Sequence, residues 1–248
     1  MPYQFTVSPD FSPDHLSGWY IFNTWLQKQL GEAVHLEMYD CFQTQKAVIE
    51  SNGIDLIYAN PFDAAMLVRK KGFRPLARPV GVSDEAIIAV NAESLIYDVA
   101  DLSSGIKIAV TDDPDIRLMG MIMLEAGDLN LNNTIIISCD AYILVAKQLL
   151  KGNADVGVFL AEAYDGLSNI VKSKLRVIVR SEISVIHHGL MIGPKLAHRK
   201  MDILELLVGM KNNDKGQDVL KSLGFRAWDK VEDEEMEFMI DLMDALSV

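Results

Sequence analysis

Two stretches of the chain, far apart, repeat one pattern, and that pattern limits the fold more than any other feature. Glu50–Met66 reads ESNGIDLIYANPFDAAM and Leu150–Tyr164 reads LKGNADVGVFLAEAY. Each is a helix end, a glycine, an aspartate opening a short apolar strand, and a helix start. A strand that delivers the chain to a helix N-terminus is part of a strand–helix–strand unit, and such units build sheets with parallel neighbours. In open sheets of this kind small molecules bind beyond the carboxyl ends of the strands. Two such units predict two similar α/β lobes facing one cleft.

The flanking sequence carries the same alternation. YQFTV reads as a first strand. Ser12 as N-cap, Pro13 at the first helical position and Asp14 at the positive end of the dipole predict a helix, with Leu16, Trp19, Phe22, Leu26 and Leu30 on one face and Gly31 as its stop. VHLEMY alternates as a strand, and Phe42, Ala47, Val48 and Ile49 suggest a helix ended by Gly53. Asn60 and Pro61 open a helix that Gly72 closes. AIIAV, KIAV, TIIIS, ADVGVF and LRVIV read as further strands, with helices over Ile116–Ala126 and Ala141–Lys151. Beyond Met201 the chain reads as helical: Met201–Lys211, Gln217–Leu223 and an amphipathic helix over Asp233–Leu246.

Charge and composition exclude several classes. With 35 acidic and 23 basic side chains the chain carries a net −12, which disfavours nucleic acid and anionic membrane surfaces. No apolar run reaches the roughly twenty residues of a spanning helix. Cys41 and Cys139 have no metal-ligand spacing and read as two unpaired thiols. No HExxH, GxGxxG, Walker A or GxSxG pattern is present, so no cofactor, metal or catalytic group is expected. MPYQFTVSPDFSPDHL has neither a basic n-region nor a continuous apolar h-region. Two placements stay open: a cytoplasmic protein, or a periplasmic one whose leader has been removed.

The order of these elements resembles the phosphate/phosphite/phosphonate-binding proteins of ABC transporters. The resemblance rests on the LQKQLG end of the first long helix, on YDCFQTQKAVIESNGIDLIYANPFDAAML, on SCDAYILVAKQLLKGNADVGVF and on the tail LKSLGFRAWDKVEDEEMEFMIDLMDAL. It implies a two-lobed type II periplasmic-binding-protein fold, with two mixed, mostly parallel sheets flanked by helices. It implies one lobe from residues 1–84 and 187–248, a second from 85–186, and two hinge crossovers. The function it implies is non-catalytic capture of a small, anionic solute of phosphonate or phosphate type, or of altered specificity, by hinge closure, with a transporter permease or a sensor as partner. An enzyme on the same fold, of the kind found in menaquinone- or thiamine-precursor pathways, and an interaction protein without a ligand are the alternatives.

Candidate ligand contacts follow the strands. Ser8 and Asp10 follow the first strand, Tyr39 the second, and Tyr58, Asn60 and Asp63 the third, where Asn60 can cap its helix, bind, or do both. Tyr39 and the adjoining Cys41 and Phe42 can line a pocket or pack in the core. In the family the loop at KIAVTDDPDIRLMG carries a Ser/Thr–Ser–Gly segment that holds an oxyanion at a helix N-terminus. Here Thr111 precedes Asp112, Asp113 and Asp115, with Arg117 as the one nearby cation and Gly120 at the end of the motif. Two acids beside a phosphonate repel it, so the family's anion site is expected to be lost or rebuilt, with Asp113 or Asp115 as a helix cap. Asp140 starts a helix, as cap or contact. Of His187 and His188, one is expected to face the cleft, and His187 is carried as the candidate.

Overall fold

The computed structural model describes residues 2–11 and 13–246, the side chain of Leu246 excepted. The expected cap at Ser12 lies outside the described residues. In chain order the elements are β1 (Tyr3–Val7), α1 (Leu16–Leu30), β2 (Val34–Met38), α2 (Phe42–Glu50), β3 (Leu56–Ala59), α3 (Pro61–Lys71), β4 (Arg74–Pro79), β5 (Ala86–Asn91), β6 (Lys107–Val110), α4 (Pro114–Glu125), β7 (Ile135–Ser138) and α5 (Tyr142–Leu150). They continue with β8 (Val156–Leu160), the short helices α6 (Ala161–Asp165) and α7 (Asn169–Lys172), β9 (Leu175–Arg180), β10 (Gly189–Ile192), α8 (Lys200–Gly209), α9 (Asp214–Ser222), β11 (Trp228–Lys230) and α10 (Asp233–Leu246). Among the described residues no helix is long and apolar enough to cross a membrane.

The chain forms two compact units. The first comprises the residues up to Ser83 and then His187–Asp244; the second holds Asp84–Ile186. The first has a six-stranded sheet in the order β11-β4-β10-β3-β1-β2, the second a five-stranded sheet in the order β7-β6-β8-β5-β9. Parallel pairs come from strands linked by crossover helices: β1 with β2 and β3, and β6 with β7 and β8. Antiparallel pairs join β10 to β3 and β4, β11 to β4, and β5 to β8 and β9. Both sheets are mixed, as expected, and most strands of each run the same way: β10 and β11 oppose the rest of the first sheet and β5 the rest of the second. β10 returns to its sheet only after the whole of the second unit, whereas β5 follows β4 across residues 80–85 alone.

β4 escaped the sequence reading because Pro75 and Pro79 argue against an inner strand. The structure accommodates Pro75 where the register with β10 shifts, between Leu190 and Met191. The neighbouring β11 is too short to reach it, its pairs running only from Pro79 to Ala77.

Packing in the first unit follows the pleat. Along β3, Leu56 and Tyr58 join a core with Phe5, Trp19, Phe22, Leu26 and Leu207. Ile57 and Ala59 point the other way, into a cluster with Leu67, Met236, Met239 and Ile240. α1 supplies Trp19, Phe22, Leu26 and Leu30 at the expected helical spacing, and Gly31 and Gly72 end α1 and α3 in the left-handed region at φ 67° and 70°. In the second unit the corresponding core gathers Ile87, Ala109, Val145, Leu149 and Phe159.

The repeated sequence pattern has a structural meaning. Asp55 Oδ2 accepts the Gln4 N–H at 2.9 Å while the Asp55 N–H donates to the Gln4 carbonyl at 2.8 Å. In the other unit Asp155 Oδ2 accepts the Lys107 N–H at 2.8 Å while the Asp155 N–H donates to the Lys107 carbonyl at 2.9 Å. Each aspartate thus clasps the neighbouring parallel strand at two points and sets the register in which β3 or β8 runs toward its helix.

Candidate functional site

In the first unit the parallel strands β1 and β3 end side by side, which brings their following residues together. The Ser8 N–H donates to the Tyr58 carbonyl at 2.8 Å. Asn60, fully buried, caps α3 by accepting the Asp63 N–H at 2.7 Å, with Pro61 at the first helical position. Its amide donates to Ser8 Oγ at 3.1 Å and to Asp63 Oδ2 at 3.2 Å. The Asn60 side chain is therefore engaged on both ends by its own fold.

Next to this cap His188 Nε2 lies 2.8 Å from Asp10 Oδ2, and the His188 ring stacks on Tyr58 at 5.3 Å between centroids. Burial works to raise the Asp10 carboxyl, but the charge and hydrogen bond of His188, helped by the Ser8 hydroxyl, outweigh it and hold the carboxyl below its ordinary value. Asp63 behaves oppositely. Burial pushes its carboxyl up to about 6, against the lowering effect of the Asn60 hydrogen bond and of Lys46 and His188.

Ser8, Asp10, Tyr58 and Asn60 thus come together with Asp63, which follows the same strand, and with His188, the member of the histidine pair that was not the candidate. His187 is not among them. It is 1% exposed, its Nδ1 lies 3.0 Å from the His188 carbonyl, and its Nε2 lies 3.7 Å from Glu235 on α10. Alternation along an extended segment says that the two imidazoles part company, not which one joins Asp10. Tyr39 follows β2 half-buried, with its hydroxyl raised by burial and by the charge of Glu37.

In the second unit β6 delivers Thr111, buried, then Asp112, exposed, then Asp113 and Asp115, both buried. Of the two acids expected to cap the helix, Asp113 does so: its Oδ1 accepts the Ile116 N–H at 3.2 Å, and Pro114 takes the first helical position. Its Oδ2 accepts the hydroxyl of Tyr142 at 2.7 Å, which ties the start of α4 to the start of α5. Arg117, half-buried, lies four residues beyond the cap on α4. Asp140 is exposed and does not cap α5; Ala141 is the residue at that boundary, without a side-chain cap.

Gly120 serves packing. A Cβ there would stand 2.4 Å from Cγ1 of Val158, so the glycine lets α4 close on β8. The loop's chemistry is acidic and hydroxylic. A carboxylate only accepts hydrogen bonds, and here it already occupies an N–H donor that a bound oxyanion would use at a helix start.

A family model described as ABC transporter, phosphonate, periplasmic substrate-binding protein matches residues 5–236. No curated protein sequence matches the chain. Among solved structures, PhnD1 from Prochlorococcus marinus, in complex with methylphosphonate, superposes with a TM-score of 0.81 at 13% identity, over 99% of this chain and 98% of that one. A Xanthomonas citri protein bound to ATP gives a TM-score of 0.81 at 14% identity, over 99% and 96% of the two chains. A binding-protein component of an ABC phosphonate transporter from Pseudomonas aeruginosa gives 0.75 at 16% identity, over 100% and 89%. At these identities the likeness is one of fold, the type II periplasmic-binding-protein fold that the sequence led us to expect. Matched by the family model over nearly its whole length, the chain belongs to the periplasmic substrate-binding proteins of phosphonate ABC transporters, a family of transport components rather than enzymes.

Proposed function

We propose that this protein captures a small zwitterionic phosphonate, one that carries an ammonium group beside its anionic head, for an ABC importer, and that it works in the periplasm, docking on the importer's permease, without turning its ligand over. The family match supports capture of a phosphonate-class solute. The observation that carries the ammonium is the role of Asp113, whose two oxygens hold the Ile116 N–H and the Tyr142 hydroxyl at the start of α4. A buried carboxylate at this position repels a bare oxyanion and attracts a cation, and an ammonium brings three donors. Arg117 is the cation assigned to the anionic head. Asp10 with His188 is the corresponding candidate in the first unit.

Calorimetric titration with 2-aminoethylphosphonate, ethylphosphonate and inorganic phosphate tests the reading. The amino compound is expected to bind at least about tenfold tighter than ethylphosphonate, a preference of roughly 1.4 kcal/mol. Asp113→Asn retains the helix cap and should erase that preference, and Arg117→Ala should weaken both phosphonates. Equal or tighter binding of ethylphosphonate, or an unchanged preference in Asp113→Asn, overturns the assignment. A product accumulating from the bound phosphonate would favour the enzyme alternative, and no binding by any of the three would favour the ligand-free one.

A further inference from the structure

The first unit holds a hollow of about 450 Å³ at the C-terminal end of α9, away from the strand-end residues described above. Its lining includes Lys211, Lys221 and Arg226 over an apolar floor of Leu220 and Phe225, and no acidic residue contributes to it. The chain carries a net −12, and its other arginines commonly meet carboxylates: Arg69 meets Asp241, Arg78 meets Glu235, Arg180 meets Asp165 and Arg199 meets Asp202. Among the described residues no ion pair engages Lys211, Lys221 or Arg226. Three exposed cations without carboxylate partners around one hollow make a local positive patch on a chain that is acidic overall.

The end of α9 does not account for them. Cations gather at helix C-termini to meet unsatisfied carbonyls. Here the turn has already supplied donors: the Leu223 N–H bonds the Val219 carbonyl at 3.2 Å, the Gly224 N–H that of Lys221 at 3.1 Å, and the Phe225 N–H that of Leu220 at 2.9 Å. The floor is rigid as well. The Phe225 ring packs against Trp19 at 5.9 Å and Trp228 at 5.1 Å, and the Gln217 amide pins the Lys211 carbonyl at 3.0 Å.

We infer that this hollow is a second binding site, for a small organic anion with two or more negative charges and a flat apolar body. The charges meet Lys211, Lys221 and Arg226, and the body covers Phe225. The inference is independent of the ligand assigned to the α4 loop.

Calorimetry with trimesate, a benzene ring bearing three carboxylates, and with tricarballylate, three carboxylates on an open chain, provides the test. Trimesate should bind at least about fivefold tighter than tricarballylate, and raising the salt from low to physiological strength should weaken both, as expected for exposed charges. The double variant Lys221→Gln, Arg226→Gln should lose at least about tenfold in trimesate affinity and keep wild-type affinity for 2-aminoethylphosphonate. Asp113→Asn should bind trimesate as the wild type does. Trimesate binding unchanged in the double variant, or absent from the wild type at millimolar concentration, overturns the inference. Amide resonances of Gly224 and Phe225 that stay fixed while trimesate binds would place it elsewhere and overturn it too.

Discussion

Tyr142 donates its hydroxyl to Oδ2 of Asp113 at 2.7 Å, so the first residue of α5 fastens the cap of α4. Removing the hydroxyl leaves a buried carboxylate oxygen without that donor, at a cost of about 1–3 kcal/mol for a charged acceptor. Tyr142→Phe should therefore lower unfolding stability by about 1–2 kcal/mol in urea titrations. Asp113→Ala, which also loses the cap, should cost about 1 kcal/mol more, and Asp113→Asn should cost less than Asp113→Ala. Equal stability of the alanine and asparagine variants would remove the cap from the account.

The paired clasps of Asp55 and Asp155 make a graded prediction. Asp55 is 7% exposed and also meets Lys195 Nζ at 3.0 Å, whereas Asp155 is exposed. Buried unsatisfied groups cost more than solvated ones. Asp55→Ala should destabilise by about 2–3 kcal/mol and Asp155→Ala by about 1 kcal/mol, read from urea midpoints. The reverse order would show that strand register depends on something other than these carboxylates.

Asp63 predicts how stability changes with pH. Its folded carboxyl sits near 6, above the 3.8 of an unperturbed aspartate, because burial penalises its charge. The folded state then holds its proton to higher pH than the unfolded state does. This contribution is fully present below about pH 4 and is lost as pH rises through about 6, by roughly 2–3 kcal/mol at 1.36 kcal/mol per unit. Asp63→Asn should flatten the fall in stability between pH 4 and 7 and unfold at higher urea than the wild type at pH 7.5. Parallel pH profiles for the two proteins would exclude Asp63 as the group responsible.

Gly120 predicts a packing defect. Gly120→Ala forces a methyl to within 2.4 Å of Val158, a β-branched side chain buried on β8. Overpacking of this kind costs about 1–3 kcal/mol. Adding Val158→Ala should recover part of that loss. A single variant as stable as the wild type would mean that α4 moves off the sheet freely.

The legible part of the fold was what short-range chemistry dictates. Asn60–Pro61 and Asp113–Pro114 read as helix starts because cap and ring act within one turn, and both helices begin there. The Gly–Asp pattern marked β3 and β8 because the aspartate's partner is set by the register of a parallel neighbour. Non-local relations were not legible. β4 hides behind its prolines, which only the shift opposite β10 accommodates. His188 rather than His187 meets Asp10 because the chain before β10 places that one imidazole over Tyr58, a choice that alternation alone leaves open. Asp63 was legible as a residue following β3, but its raised carboxyl was not, because it comes from burial in the folded chain.

The place of β10 in its sheet has a consequence for how the molecule is made. Gly189–Ile192 lies between β3 and β4, so those two strands have no direct hydrogen bonds to each other. A ribosome releases β3 and β4 long before β10, and they must wait, edges bare, through the synthesis of the whole intervening stretch. Asp84–Ile186, by contrast, is continuous and carries all five strands of its own sheet. The later-starting half can thus mature first, and the earlier-starting half is completed by a wedge delivered late, a sequence of events that exposes nascent strands to misassociation.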